Sequence, residues 1–211
     1  MKGYDISHWQ GQIDWTKVQS DFVIAKATQG VSMFDSTFIR NRDECRKRGI
    51  LFGSYHFANG GDAVKEAEFY VSKIGDIREG ELLVLDYEIN MPGAGAWCRK
   101  FLDRVTTLTG VKPLLYTNEA RVKTIDWKDV VSRDYGLWVA KYGLNLPYMG
   151  LPPSSGQWPF WAIWQYSSRG KVDFTKAYVD LNYTKMDLAT LKKYGKHTEE
   201  ICTHCCPIHC T

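Results

Sequence analysis

The chain of 211 residues contains no apolar run near the roughly 18 residues that a membrane-spanning helix needs, so membrane insertion is not expected. Its N-terminus, MKGYDISHWQ, lacks the apolar stretch of a secretory signal. The expectation is a product made in the cytoplasm without a leader. A charge balance of 27 basic against 24 acidic residues, net +3, lacks the concentrated basic patch of a nucleic-acid binder, so no nucleic-acid partner is expected. There is no glycine-rich phosphate loop, which removes the usual ligand cue of an open dinucleotide-binding sheet. No internal repeat and no linker interrupts the chain before about residue 195, so one domain is expected over 1–195.

What is present is aromatic. Trp, Tyr and Phe make up 14% of the chain, with 8 Trp and 12 Tyr, enough to fill a core and still leave flat faces that suit sugar rings. Short apolar runs recur at 3–7, 22–27, 51–57, 82–88, 113–118, 137–142 and 160–166, with a weaker one at 178–182. Helical spacing appears between them, over 36–48, 62–74, 95–109 and 185–193. Alternating strands and helices predict a parallel sheet covered on both faces. About eight strands in this length fit an α/β protein forming a single, irregular, TIM-like β/α barrel, with an open doubly wound sheet as the alternative. The segment YMGLPPSSGQWP (148–159) is rich in Pro, Gly and Ser and reads as an excursion.

Polar groups collect at the ends of the apolar runs. LLVLDYEI (82–89) drives four apolar residues into Asp86 and Glu88, and the first run ends with Asp5. Residues two apart on a strand point the same way, so Asp86 and Glu88 share a face about 6.6 Å apart while Tyr87 points oppositely. Two close carboxyls push one pKa up, which yields the acid and the ionised partner that glycosidic cleavage requires. Alone, D-x-E is a weak signal. Strand-end acids also cap helices or pair with basic side chains.

The ordered set GYDISHWQGQIDW, FVIAKATQG, GSYHFA, LDYE, PLLYTN, LWVAKY and WAIWQYSS resembles glycoside hydrolase family 25, the CH-type lysozymes common among phage endolysins. The resemblance covers about residues 1–193. It implies an irregular barrel that hydrolyses the β-1,4 bond between N-acetylmuramic acid and N-acetylglucosamine of bacterial peptidoglycan, without a cofactor. The same resemblance implies Glu88 as general acid and Asp86 as the group stabilising charge on the attacked sugar. Asp5 and, through VDLN, Asp180 become supporting acids, each with a purely structural role as the alternative. The family's proposed chemistry uses the substrate's own N-acetyl oxygen and retains configuration. Tyr55, Tyr116, Trp138, Lys26 and Gln165 are expected to line the sugar groove, with Tyr87 a further candidate despite its direction. Gln29 departs from the pattern, standing where the family usually has Glu. A phage endolysin released to the wall is the implied route, with a secreted bacterial enzyme as the alternative. A non-catalytic glycan-binding barrel and a metal-dependent hydrolase are the competing functions.

The end of the chain lies beyond this resemblance. KHTEEICTHCCPIHCT (196–211) crowds Cys202, Cys205, Cys206 and Cys210 with His204 and His209. A structural zinc, disulfides and an exposed tail with neither are the readings open to it. Cys45 and Cys98 read as isolated buried thiols.

Overall fold

The structure, a computed structural model, describes residues 1–143 and 151–197. Eight strands close into a mixed barrel: β1 (Lys2–Ile6), β2 (Phe22–Gln29), β4 (Leu51–Phe57), β5 (Leu82–Asp86), β6 (Leu114–Asn118), β7 (Leu137–Ala140), β8 (Ile163–Gly170) and β9 (Val179–Tyr183). A two-residue strand, β3 (Met33–Phe34), lies antiparallel on the end of β2. From β1 to β8 the staves are parallel, whereas β9 runs antiparallel between β8 and β1 and completes the ring. The all-parallel expectation is corrected there. Only eight residues join β8 to β9, too few for the crossover that a parallel strand needs.

The apolar runs cover both faces, as anticipated. In β5, Leu82 and Val84 fall into the barrel interior with Phe22, Ile24, Leu51, Leu114 and Ile163. Leu83 and Leu85 fall outward into a larger core beneath the helices, with Phe52, Phe101 and Leu115. Burying each such side chain contributes about 1.5–3 kcal/mol.

Three long helices cover that outer face. α1 (Phe38–Arg48) stops at Gly49, whose φ of 68° needs no Cβ. α2 (Ala63–Ile74) starts where the Asp62 carboxylate accepts from Val64 N and Lys65 N, and it buries Ala63, Ala67, Tyr70 and Ile74. α3 (Ala94–Thr109) buries Trp97, Cys98, Phe101, Leu102 and Val105. The short helices α4 (Glu119–Thr124) and α5 (Lys128–Val131) carry no clear sequence periodicity. α6 (Leu188–Lys192) is shorter than the expected 185–193, and Lys196 then bridges to Glu79. Cys45 and Cys98 are buried free thiols. No helix among the described residues is long and apolar enough to cross a membrane.

Candidate active site

Strand alternation decides which side chains meet. Residues 82, 84 and 86 share the inner face of β5, so Asp86 enters the barrel directly above Leu82 and Val84. The same alternation carries Asp5, Lys26, Tyr55, Tyr116, Trp138 and Gln165 inward at the C-terminal end of the barrel. Asp180 lies near the start of β9, and because that strand is antiparallel its start reaches the same end. These residues line a cavity of about 210 Å³ together with Glu88, Trp9, Phe57 and Tyr142.

Tyr87 is corrected. Its ring is fully buried on the outer side of the sheet, 6.0 Å from both Trp97 and Trp127, because the alternation that sends Asp86 inward sends Tyr87 out. It does not face the groove. β5 also ends at Asp86, so Glu88 sits beyond the ladder and not at a strand position. The Tyr87 carbonyl accepts from the Thr117 hydroxyl at 2.8 Å, and the Glu88 carbonyl accepts from Arg121, which diverts the chain. Arg121 was missed in the sequence. Its position follows from Asn118, the end of YTN, whose side chain caps α4 by accepting from Arg121 N at 3.0 Å.

A buried network fixes the acids. Asp5 Oδ2 accepts from Gln165 Nε2 at 2.8 Å and from Asn182 Nδ2 at 2.7 Å. Gln165 Oε1 accepts from the hydroxyls of Tyr116, at 2.7 Å, and Tyr142, at 2.8 Å. Asn182 Oδ1 accepts from Trp138 Nε1 at 2.9 Å. Trp138 and Gln165 are thus almost closed off, and each holds an amide or carboxylate in place. On β2, beside the strand that carries Asp5, Lys26 Nζ donates to Gln29 Oε1 at 2.7 Å and lies over the Phe57 ring. Gln29 in turn donates to Asn59, so the amide that replaces the expected Glu links Lys26 to the β4–α2 loop.

Electrostatics set the proton inventory. Asp5 and Asp180 are direct cross-strand partners that share a hydrogen bond. Burial raises both, Asp5 to about 6 and Asp180 to about 9, with the Asp5 charge adding to the rise at Asp180. Two amide donors favour charge on Asp5, so the shared proton resides on Asp180. Burial also pushes Asp86 well above the usual carboxylate range, helped by Glu88 and Asp5 and opposed by Lys26. Asp86 Oδ1 is buried with no hydrogen-bond partner among the described residues. Glu88 is exposed at the mouth, yet the surrounding protein raises it, with Arg121 pulling it back. Lys26 is lowered by burial, an effect opposed by Asp86 and Asp35.

A raised carboxylic acid at a cavity mouth, beside a buried carboxyl with a free oxygen, is the equipment for splitting a glycosidic bond. The description Glycosyl hydrolases family 25 matches residues 4–174. The chain belongs to that family. It is a glycoside hydrolase. Asp180 and Asn182 lie just past the matched segment and are tied to it through Asp5. Lysozyme M1 of Streptomyces globisporus is 31% identical over 94% of this chain and 72% of its own. Among solved structures, a bacterial lysozyme from Streptomyces coelicolor superposes with a TM-score of 0.76 at 29% identity, over 92% of this chain and 96% of that one. The catalytic domain of endolysin ply40, from a bacteriophage of Listeria monocytogenes, gives 0.74 at 29% identity, over 91% and 97%.

No group of three or more His, Cys, Asp or Glu among the described residues is arranged to hold a metal ion. Cys202, Cys205, Cys206, Cys210, His204 and His209, the zinc ligands suggested by the sequence, lie outside the described residues. A larger cavity, about 460 Å³, opens at the opposite end of the barrel beside Gly136 and Trp158. Asp134, its only carboxylate among the described residues, lies 3.7 Å from Lys112, so it offers no acid pair.

Proposed function

We propose that this family 25 enzyme cleaves the β-1,4 bond between N-acetylmuramic acid and N-acetylglucosamine in bacterial peptidoglycan, with net retention assisted by the substrate. The observation that carries the reading is the pairing of Glu88, exposed and raised, with Asp86, buried and holding an unpartnered oxygen, in one cavity. Glu88 donates its proton to the leaving oxygen as the glycosidic bond breaks. The cavity-facing oxygen of the Asp86 carboxylate accepts the acetamido N–H of the attacked sugar and turns that group's carbonyl oxygen toward the anomeric carbon. The carbonyl oxygen closes a ring on that carbon, and Asp86 stabilises the positive charge formed. Water then opens the ring as Glu88 takes back a proton, and two displacements restore the original configuration. Asp5 and Asp180 keep negative charge and one proton beside the pair.

The natural setting that fits is a phage endolysin made in the host cytoplasm and released to the wall. Similarity to the Listeria phage endolysin domain supports it.

Digestion of purified peptidoglycan, with mass spectrometry of the soluble products, tests the reading. Wild type is expected to release fragments with reducing N-acetylmuramic acid ends, and Glu88→Gln to lose roughly 10²–10⁴-fold in rate. Reducing N-acetylglucosamine ends contradict the bond assignment.

A further inference from the structure

Trp9 is 76% exposed, although the loop bearing it is held by several hydrogen bonds. It sits in a 3₁₀ turn over His8–Gln10, where β1 ends. Ser7 N donates to Gln10 Oε1 at 2.8 Å, and Trp9 N donates to Ser7 Oγ at 3.3 Å. His8 is held through its backbone N and its Nδ1 by Asp35 Oδ2, at 3.0 and 2.7 Å, and its ring lies 4.8 Å from the Trp9 ring. Gln10 Nε2 donates to Tyr178 O, and Thr175 Oγ1 donates to Gln10 O, which ties the turn to the β8–β9 connection. Nothing in the packing of the fold requires an indole held out in solvent here.

The indole lines two depressions at once. One is the catalytic cavity of about 210 Å³. The other is an open trough of about 630 Å³ between the 9–14 turn and the 173–177 loop, floored by Phe174 and edged by Gln12, Asp14 and Lys176. The catalytic cavity alone is smaller than the roughly 300–1,000 Å³ that encloses a drug-sized ligand, so a polymeric glycan must continue outside it. The trough is the continuation that shares a wall with the acids.

We propose that this trough is a second glycan subsite, in which the C–H face of a sugar ring beyond those at the cleaved bond stacks on Trp9. The proposal rests on the glycan-cleaving reading of the acid cavity and names where the rest of the strand lies. Trp9 has a broad flat face on a backbone held by hydrogen bonds and only two side-chain torsions to restrict, which limits the freedom lost when a ring binds. The exposed polar groups of Gln12, Asp14 and Lys176 offer both donors and acceptors to sugar hydroxyls.

The test measures hydrolysis of peptide-free peptidoglycan strands of increasing length by wild type, Trp9→Ala and Trp9→Phe. Wild-type KM is expected to fall as strands lengthen. In Trp9→Ala that gain is lost, and KM for long strands rises roughly three- to tenfold. Trp9→Phe restores most of the gain. A thermal melt unchanged by the substitutions separates this from a folding defect, because the side chain is exposed. The same length dependence in Trp9→Ala as in wild type overturns the subsite. Wild type that cleaves no strand of any length overturns the catalytic reading, and the subsite falls with it.

Discussion

Asp86 combines burial with an oxygen that has no hydrogen-bond partner among the described residues, a position that costs stability. Replacing it with Asn keeps the shape and removes the ability to become the carboxylate that stabilises positive charge formed in the reaction. The expected result is a rate loss of about 10²–10³-fold, as for other groups that stabilise charge formed in the reaction, with no loss of resistance to urea. Asp5 and Asp180 give a pH signature. Both sit above the ordinary value of 3.8, at about 6 and about 9, so the folded protein holds protons that the unfolded chain releases. Their contribution is fully present below about pH 4 and is lost as pH rises through the two folded values. Melting temperature should therefore fall between pH 5 and pH 9, and Asp180→Asn should flatten that slope. A steeper slope in the variant contradicts the shared proton. Asp86 was legible in the sequence because alternation on β5 separates it from Tyr87, whereas Asp180 was reached only through the family resemblance. Trp9 and Tyr142 were not legible, since loops bring them to the cavity, nor was Arg121, which reaches the Glu88 carbonyl from α4, whereas Phe57 follows Tyr55 by two residues on β4 and shares its inward face.

At the level of elements, the β4–α2 corner is pinned by groups that take no part in the cavity. Burial lowers His56, which leaves it neutral, so Nε2 donates to Glu66 Oε2 at 2.9 Å and Nδ1 accepts from the Thr28 hydroxyl at 2.8 Å. Glu66 also accepts from Asn59 N and Gly61 N, and Ala58 N donates to Asp86 O at 2.9 Å. The end of β5 is therefore braced by α2. Glu66→Ala leaves a buried histidine and two backbone N–H groups without their acceptor, and is expected to cost about 3 kcal/mol or more in urea unfolding. A change below about 1 kcal/mol contradicts the brace. The helix limits of α1 to α3 were readable because Gly49, Asp62 and Gly110 punctuate them. The sequence pattern carries β5 on to Glu88, two residues past its end at Asp86, and does not reveal that the Tyr87 and Glu88 carbonyls are taken by the side chains of Thr117 and Arg121.

Over the whole molecule, closure was legible from the number of strands and direction was not. Hydrophobic alternation is the same for either orientation of β9, and only the eight-residue β8–β9 connection carries the hairpin signal. That reversal matters for the site, because it sets Asp180 opposite Asp5 and brings Asn182 to Asp5 Oδ2. All four acids fall within residues 5–180. A chain ending at residue 197 is thus expected to keep the wild-type rate on peptidoglycan, and a rate that collapses on this truncation shows that the Cys/His-rich tail takes part. The central claim is that Glu88 supplies the proton to the leaving group, and the most direct measurement compares Glu88→Gln with wild type on two substrates. On peptidoglycan, whose leaving sugar must be protonated, the variant should lose about 10²–10⁴-fold in kcat. On an aryl glycoside whose phenol leaves unaided, the first-turnover release of phenol, which needs no acid, should stay close to wild type. An equal loss on both substrates contradicts the account.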